Sequence, residues 1–377
     1  MSSYADSFRQ HHSAQLSRVA APLEQAYTLP TQAYLDESLY QLEKEHLLDD
    51  VWHPVARVEQ VSEPGDFVCL ELLGQPLVVV RGRDEEIRVM STVCLHRAAP
   101  VVEGQGKQFR FTCPYHAWTY DLTGQLVRAP LMEEAADFAT QKLCLPQATV
   151  TVWRGFVMAN FAEQPSALLD QINTYDKFFA PFDLQDMEIV ATLEYESSWN
   201  WKVLVDNFME AYHHIAIHSS TFEPDFPARQ SKIPDNDGPW SILHMPATAT
   251  GAPSSNANLE RWQADDLFAT VIFPMFLLAV KDTTAVWYQV LPRGAHDLSL
   301  KIHILFPQSY RQLESFADYV EAAKTSTAHV HAEDIAANDM VWRGMQAGMT
   351  QQGRLSPYEK SIWQFNQWWL HKLGLSD

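Results

Sequence analysis

The chain has 377 residues, enough for two ordinary domains, and 46% of them are hydrophobic, so a sizeable core can be buried. A formal charge of −20 argues against a nucleic-acid backbone or an anionic membrane surface as partner, because both would be repelled within a Debye length of roughly 8 Å. Four cysteines make a poor disulfide framework in so long a chain, and paired Cys/His motifs read better as metal ligands in a reducing compartment.

In chain order, the start MSSYADSFRQHHSAQ lacks a basic stretch followed by an apolar one, and a cytoplasmic protein is expected. After an arm ending near Pro30, YLDESLYQLEKEHLLDD (34–50) has helical periodicity and predicts a lead-in helix closing a first segment, 1–50. From 51 to 161 the texture changes to short β-branched and aromatic runs such as FVCLELLG, PLVVVRG and IRVMSTV, separated by Gly, Pro and acidic turns, which predicts a small antiparallel β domain. Within it, HAWTYDLTGQLVRAP reads as a hairpin turning at Thr123-Gly124. The remainder, 162–377, has helical stretches near 165–180, 200–218, 312–349 and 357–371, and strand-like runs at 188–196, 284–292 and 298–306. The fold class is therefore α+β: an N-terminal antiparallel β domain, then an antiparallel sheet with helices segregated from it. The longest apolar run, VIFPMFLLAV (271–280), is half a membrane span and contains Pro274, so no membrane crossing is expected. PATATGAPSSNANLE (246–260) predicts a mobile loop or lid.

Chemistry begins at CLHRAAPVVEGQGKQFRFTCPYH (94–116), which contains Cys-x-His and then Cys-x-x-His. Two chelating pairs separated by a loop suit a tetrahedral ion or a dinuclear cluster. Sulfur and imidazole fit zinc, and they equally fit a [2Fe-2S] cluster with two cysteines on one iron and two histidines on the other. Spacing alone does not choose between them. CLHR followed by CPYHAWTYDLTG resembles the cluster motif of the Rieske non-haem iron oxygenases. That resemblance implies that Cys94 and Cys113 bind one iron and His96 and His116 the other, with Tyr115 and Trp118 shielding the cluster.

The second constellation lies in WNWKVLVDNFMEAYHHIAIH (199–218). His213 and His218 are five residues apart, about 140° around a regular helix, so a π-bulge or a helix end between them is needed for both to reach one metal. Two imidazoles and one carboxylate on one face of Fe(II) leave positions open for O2 and substrate. The stretch resembles the iron-binding helix of the same oxygenase family. His214 falls out of register with that motif and reads as packing or support. The resemblance puts the family's carboxylate seven residues before a Gln-x-Gly, which from Gln346 gives Asp339, with Asp334 as runner-up. It also implies that Glu210 hydrogen-bonds an iron-ligand histidine and conducts electrons between the two centres; most relatives carry Asp there, and Glu resembles the oxygenases of quaternary ammonium compounds.

Only Cys69 and Cys144 remain, too few for a further ferredoxin centre, and Gly104-x-Gly106 does not continue as a dinucleotide fingerprint. The resemblance thus implies an NAD(P)H-dependent reductase on another chain, with or without a ferredoxin, and a homotrimer in which one protomer's cluster serves its neighbour's iron. It implies a terminal oxygenase that hydroxylates or oxidatively demethylates a small aromatic or quaternary ammonium substrate, with cis-dihydroxylation of an aromatic ring as the rival reaction. A Rieske electron carrier and a zinc protein are the non-enzymatic alternatives. Trp240, Trp262, Trp287 and Tyr288 fall where the pocket wall is expected, to stack on a ring, box an ammonium group or simply fill the core.

Overall fold

The computed structural model describes residues 4–48 and 50–376. They form two compact units: Leu48–Ser166, and the residues before Leu48 together with those from Ala167 onward. Of the segment 1–50, expected as a separate lead-in, the described residues up to Leu47 thus cluster with the later unit and the rest with the β unit.

The Leu48–Ser166 unit is all β. Strands β1 (His53–Arg57), β2 (Asp66–Leu72), β3 (Gln75–Arg81), β4 (Ile87–Ser91) and β5 (Gln105–Lys107) join two later strands, β9 (Gln147–Trp153) and β10 (Phe156–Asn160), in one sheet. Its order is β1-β10-β9-β4-β3-β2-β5, with antiparallel neighbours. A small second sheet contains β6 (Phe111–Thr112), β7 (Thr119–Tyr120) and β8 (Leu126–Arg128). The hairpin turn expected at Thr123-Gly124 is present between β7 and β8. Asp121 Oδ1 accepts from Thr123 N at 2.9 Å and Gly124 takes φ +84°, a backbone region that glycine enters at little cost. Phe67, Val78, Val80, Met90, Phe111 and Tyr120 fill the core on which the Cys/His loops rest.

The other unit is built on an antiparallel sheet of β11 (Met187–Ser197), β12 (Trp240–Met245), β13 (Leu267–Ile272), β14 (Phe276–Lys281), β15 (Thr284–Gly294) and β16 (Asp297–Pro307), in the order β11-β16-β15-β14-β13-β12. The apolar run 271–280 is the β13–β14 hairpin. Its strands are buried on both faces, which erases the alternation that would have announced them. The helices are α1 (Tyr4–Val19), α2 (Gln32–Leu35), α3 (Glu37–Leu47), α4 (Leu168–Phe179), α5 (Trp201–Phe208), α6 (Arg261–Asp265), α7 (Phe316–Met345) and α8 (Lys360–Lys372). α1 lies in the stretch read as an arm: it buries only Phe8, Leu16 and Val19, too sparse a pattern to stand out in sequence.

One buried ion pair ties the ends of this unit to the helix that leads into its metal site. Glu43 on α3 accepts from Lys202 Nζ (2.7 Å) and Trp201 Nε1 (3.2 Å) at the start of α5, and from Trp369 Nε1 (2.7 Å) on α8. Both charged groups are essentially fully buried, so the extra indole donors matter: a buried carboxylate is tolerated when its lone pairs are satisfied. Residues 246–260, expected as a mobile loop or lid, form an irregular segment with hydrogen bonds from Thr248 N to Asp225 O (2.9 Å), Asn256 Nδ2 to Pro181 O (2.9 Å) and Asn258 Nδ2 to Asp183 Oδ2 (2.8 Å).

Candidate metal centres

In the β unit, the two ligand pairs sit on matched turns. Ala98 N donates to Cys94 O and Ala117 N to Cys113 O, each at 3.0 Å, and each turn closes on an alanine at positive φ, +57° and +58°. Cys94 and Cys113 are buried, while His96 and His116 are exposed, with their rings 4.5 Å apart. Among the described residues no three of these ligand atoms converge within 4.8 Å, as one tetrahedral ion would require. Two pairs on facing turns suit two metal atoms, and this donor set fits a Rieske cluster. Trp118 stacks on His96 at 4.9 Å and Tyr115 lies 3.8 Å from the His116 ring. Sequence reasoning missed Tyr120. Its hydroxyl accepts from Leu95 N at 3.0 Å and lies 3.4 Å from Cys94 Sγ, to which it would donate once that sulfur is a metal-bound thiolate.

The second centre starts where α5 stops. Asn200 caps that helix by accepting from Lys202 N at 3.0 Å. At the other end Glu210 Oε2 accepts from His213 N at 3.0 Å, a proton that a continuing helix would give to the Met209 carbonyl. The regular helix therefore ends at Phe208, upstream of both histidines and not between them. His213 lies in a single 3₁₀ turn, Tyr212–Ile215, and His218 in the irregular turns after it. This break brings His213 and His218 to one point, their ring centres 4.9 Å apart.

The carboxylate there belongs to Asp334 and not to Asp339. One ligand atom each of His213, His218 and Asp334 lies within 4.8 Å of the others, and no second such group exists among the described residues. Asp334 Oδ1 is 3.0 Å from His218 Nε2 and 3.6 Å from His213 Nε2. Asp339 is five residues further along the regular α7 helix, about 140° around it, and accepts instead from Trp199 Nε1 at 3.1 Å. The count back from Gln346 picked the wrong face of that helix.

Each histidine is aimed by a carboxylate at its other nitrogen. His213 Nδ1 donates to Glu210 Oε1 at 2.6 Å, and His218 Nδ1 donates to Glu333 Oε2 at 2.8 Å, where Thr221 Oγ1 also donates at 2.9 Å. With Nδ1 as the donor, each Nε2 is free to turn a lone pair to an ion held at the point it shares with Asp334, the tautomer that a metal needs. Glu333 went unread in the sequence; its signal was adjacency to Asp334 in AEDIAAND. His214 is buried against Phe222 and edge-on to both other histidines, outside the trio, and burial lowers its pKa to about 3, so it stays neutral. The donor set is that of non-haem Fe(II), and the three residues fit such an ion.

These side chains line a cavity of about 200 Å³ walled mainly by apolar groups, including Leu204, Phe208, Phe222, Leu243, Met245 and Val286. Of the four aromatic residues proposed for its wall, only Tyr288 lines it. Trp287, next in the strand, points to the opposite face and packs on His303 at 4.7 Å; Trp240 is in the core beside Tyr175; Trp262 packs against His244 and Phe268. None of residues 246–260 reaches the cavity.

A cluster-type Cys2His2 domain in sequence with a two-histidine, one-carboxylate site on an α+β unit defines a chain with two iron centres. The chain belongs to the ring-hydroxylating oxygenase alpha subunits: the model of the ring hydroxylating alpha subunit (catalytic domain) matches residues 184–374, and that of the Rieske [2Fe-2S] domain matches 51–147. Its cofactors are accordingly a [2Fe-2S] cluster and a mononuclear iron. It is 33% identical over 193 residues to the carnitine monooxygenase oxygenase subunit of Escherichia coli (strain K12), a match covering 50% of this chain and 52% of that protein. The chain thus spans about half the length of that relative. Among solved structures it resembles the quaternary ammonium Rieske monooxygenase CntA, with a TM-score of 0.83 at 24% identity over 95% of this chain and 98% of that one. It also resembles naphthalene 1,2-dioxygenase from Rhodococcus sp., with a TM-score of 0.81 at 18% identity over 98% of both chains.

Proposed function

We propose that this chain is the terminal oxygenase of a multicomponent Rieske system that monooxygenates a small quaternary ammonium compound, hydroxylating it or removing an N-methyl group. The observation that carries the reading is the convergence of His213, His218 and Asp334 on the wall of an apolar cavity, each imidazole fixed from behind by a carboxylate. Iron held there supplies O2 activation, and the cluster supplies electrons singly. The chain's own residues do the rest. Glu210 and Glu333 fix the imidazole tautomers, and burial of His218 together with the apolar wall keeps bulk water from the reacting end. Phe208 and Tyr288, with ring centres 5.0 Å apart, both line the cavity and are among the aromatic groups that an ammonium group bound there would meet.

The likeness to the carnitine-oxidising subunit favours a quaternary ammonium substrate. The same proposal includes an NAD(P)H-dependent reductase partner, with or without a ferredoxin, a cytoplasmic location, and a homotrimer in which Glu210 relays electrons from a neighbouring protomer. The naphthalene-dioxygenase likeness of fold favours cis-dihydroxylation as the second reading. No helix among the described residues is long and apolar enough to cross a membrane. The test is turnover of the reconstituted holoenzyme with ¹⁸O2 and a panel of quaternary amines and aromatic acids. Formaldehyde, or a product carrying one labelled oxygen, is expected from a quaternary amine; a diol carrying two labelled atoms from an aromatic substrate supports the second reading instead.

A further inference from the structure

The metal site leaves one charged group of the cavity wall without a role. Ala279 and Lys281, alternate residues of β14, line the cavity together with Val286 and Tyr288 of the paired strand β15, so the Lys281 side chain leaves its strand on the cavity face. No other lysine or arginine among the described residues lines the cavity. Its ammonium is fixed in place by two contacts: Nζ stands 5.2 Å from the ring centre of Phe226, another wall residue, and donates to Asp265 O at 2.7 Å. That bond uses one of three protons, and the residue is exposed, which leaves the other two to solvent or to a ligand. The carboxylates nearest in sequence are engaged elsewhere: Asp265 Oδ2 accepts from Arg261 Nε at 3.1 Å, and Asp282 Oδ1 accepts from the Ser254 hydroxyl. Lys281 therefore pairs with no carboxylate among the described residues, although the chain holds 47 acidic residues against 27 basic ones and so offers partners in excess.

Lys281 lies away from the three proposed iron ligands along this wall. It pairs with Thr284 at the β14–β15 turn, and beside it Thr283 Oγ1 is 2.7 Å from the Tyr310 hydroxyl, just ahead of α7. Four residues further along β15, roughly 13 Å of strand, Tyr288 meets His331 of α7 with ring centres 5.9 Å apart, one helical turn before Asp334. Strand and helix thus run together from the lysine to the ligands, and wall aromatics bridge the same gap, His218 to Phe222 at 5.2 Å and Phe222 to Phe226 at 6.4 Å. We propose that Lys281 is a specificity-determining residue that binds the carboxylate of a zwitterionic substrate whose N-methyl group faces His213, His218 and Asp334. This rests on the quaternary-ammonium reading above and narrows it to betaines. One ammonium balances one negative charge, which suits a carboxylate, whereas a phosphate dianion would be left half unpaired. γ-Butyrobetaine, whose carboxylate oxygen lies six bonds from its methyl carbon, matches the span better than glycine betaine, where the count is four.

The experiment measures Kd by calorimetry on iron-loaded holoenzyme for γ-butyrobetaine, its carboxamide, which keeps the shape and loses the negative charge, and choline. Wild type, K281M and K281R are compared, with iron content per protomer as the control for folding. K281M, which keeps an apolar stem against Phe226, is expected to weaken γ-butyrobetaine by about tenfold while changing the carboxamide and choline by less than about twofold. K281R is expected to restore γ-butyrobetaine binding. Equal losses for all three probes, no loss for γ-butyrobetaine, or a wild type that binds choline and not γ-butyrobetaine overturns the proposal while leaving the quaternary-ammonium reading in place. A wild-type enzyme that binds none of the three overturns that reading, and the proposal falls with it.

Discussion

The two metal centres draw on sequence in different ways. The four proposed cluster ligands fall within 94–116, on two turns of the same design closed by Ala98 and Ala117, so the chelate is written in contiguous sequence. The proposed iron site joins His213 and His218, on a broken helix end, to Asp334 on α7, more than a hundred residues later. A chelate made by one turn is legible from spacing, because spacing is its geometry. A ligand contributed by a distant helix is set by which face that helix buries, and this depends on packing that the sequence does not state.

The comparison can be broken at the iron site first. Replacing His213 by Ala is expected to abolish turnover, at least a thousandfold on the order of what losing an essential centre costs, while the cluster's visible spectrum stays intact. Loss of the cluster as well would show that the two sites are not independent. A smaller effect is expected from Glu333→Gln, which leaves His218 in place but weakens its aim: iron affinity should fall roughly 10- to 100-fold, read by chelator competition. Unchanged affinity would remove Glu333 from the site. The smallest effect belongs to the other centre. Tyr120→Phe takes away the hydroxyl beside Cys94 Sγ and should lower the cluster potential by on the order of tens of millivolts with full cluster occupancy; an unchanged potential would make Tyr120 a packing residue only.

Particular residues show where the reading of sequence ran out. The β domain, its hairpin at Thr123-Gly124 and strands β11, β15 and β16 followed from alternation and turn chemistry, which are local. β13 and β14 did not, since burial on both faces removes alternation, and α1 did not, since its buried residues are sparse. The 140° between His213 and His218 correctly demanded an irregularity, though the helix breaks earlier than expected, at Glu210's capture of the His213 N–H. The same arithmetic separates Asp334 from Asp339 on a helix with no break, so only one of the two could face the histidines; an offset counted from Gln346 cannot decide which. Glu210 was legible because the family resemblance places an acidic residue three positions before the histidine, whereas Glu333 reaches His218 across the fold.

The assignment of Asp334 is the claim on which the iron site stands. The direct measurement is iron and acid-labile sulfide per protomer in wild type, D334N and D339N, purified anaerobically, with the electron-spin spectrum of the reduced cluster. The account predicts about three irons and two sulfides for wild type and D339N, and about two irons and two sulfides with an unchanged Rieske signal for D334N. Full iron in D334N together with loss of one iron in D339N would contradict it.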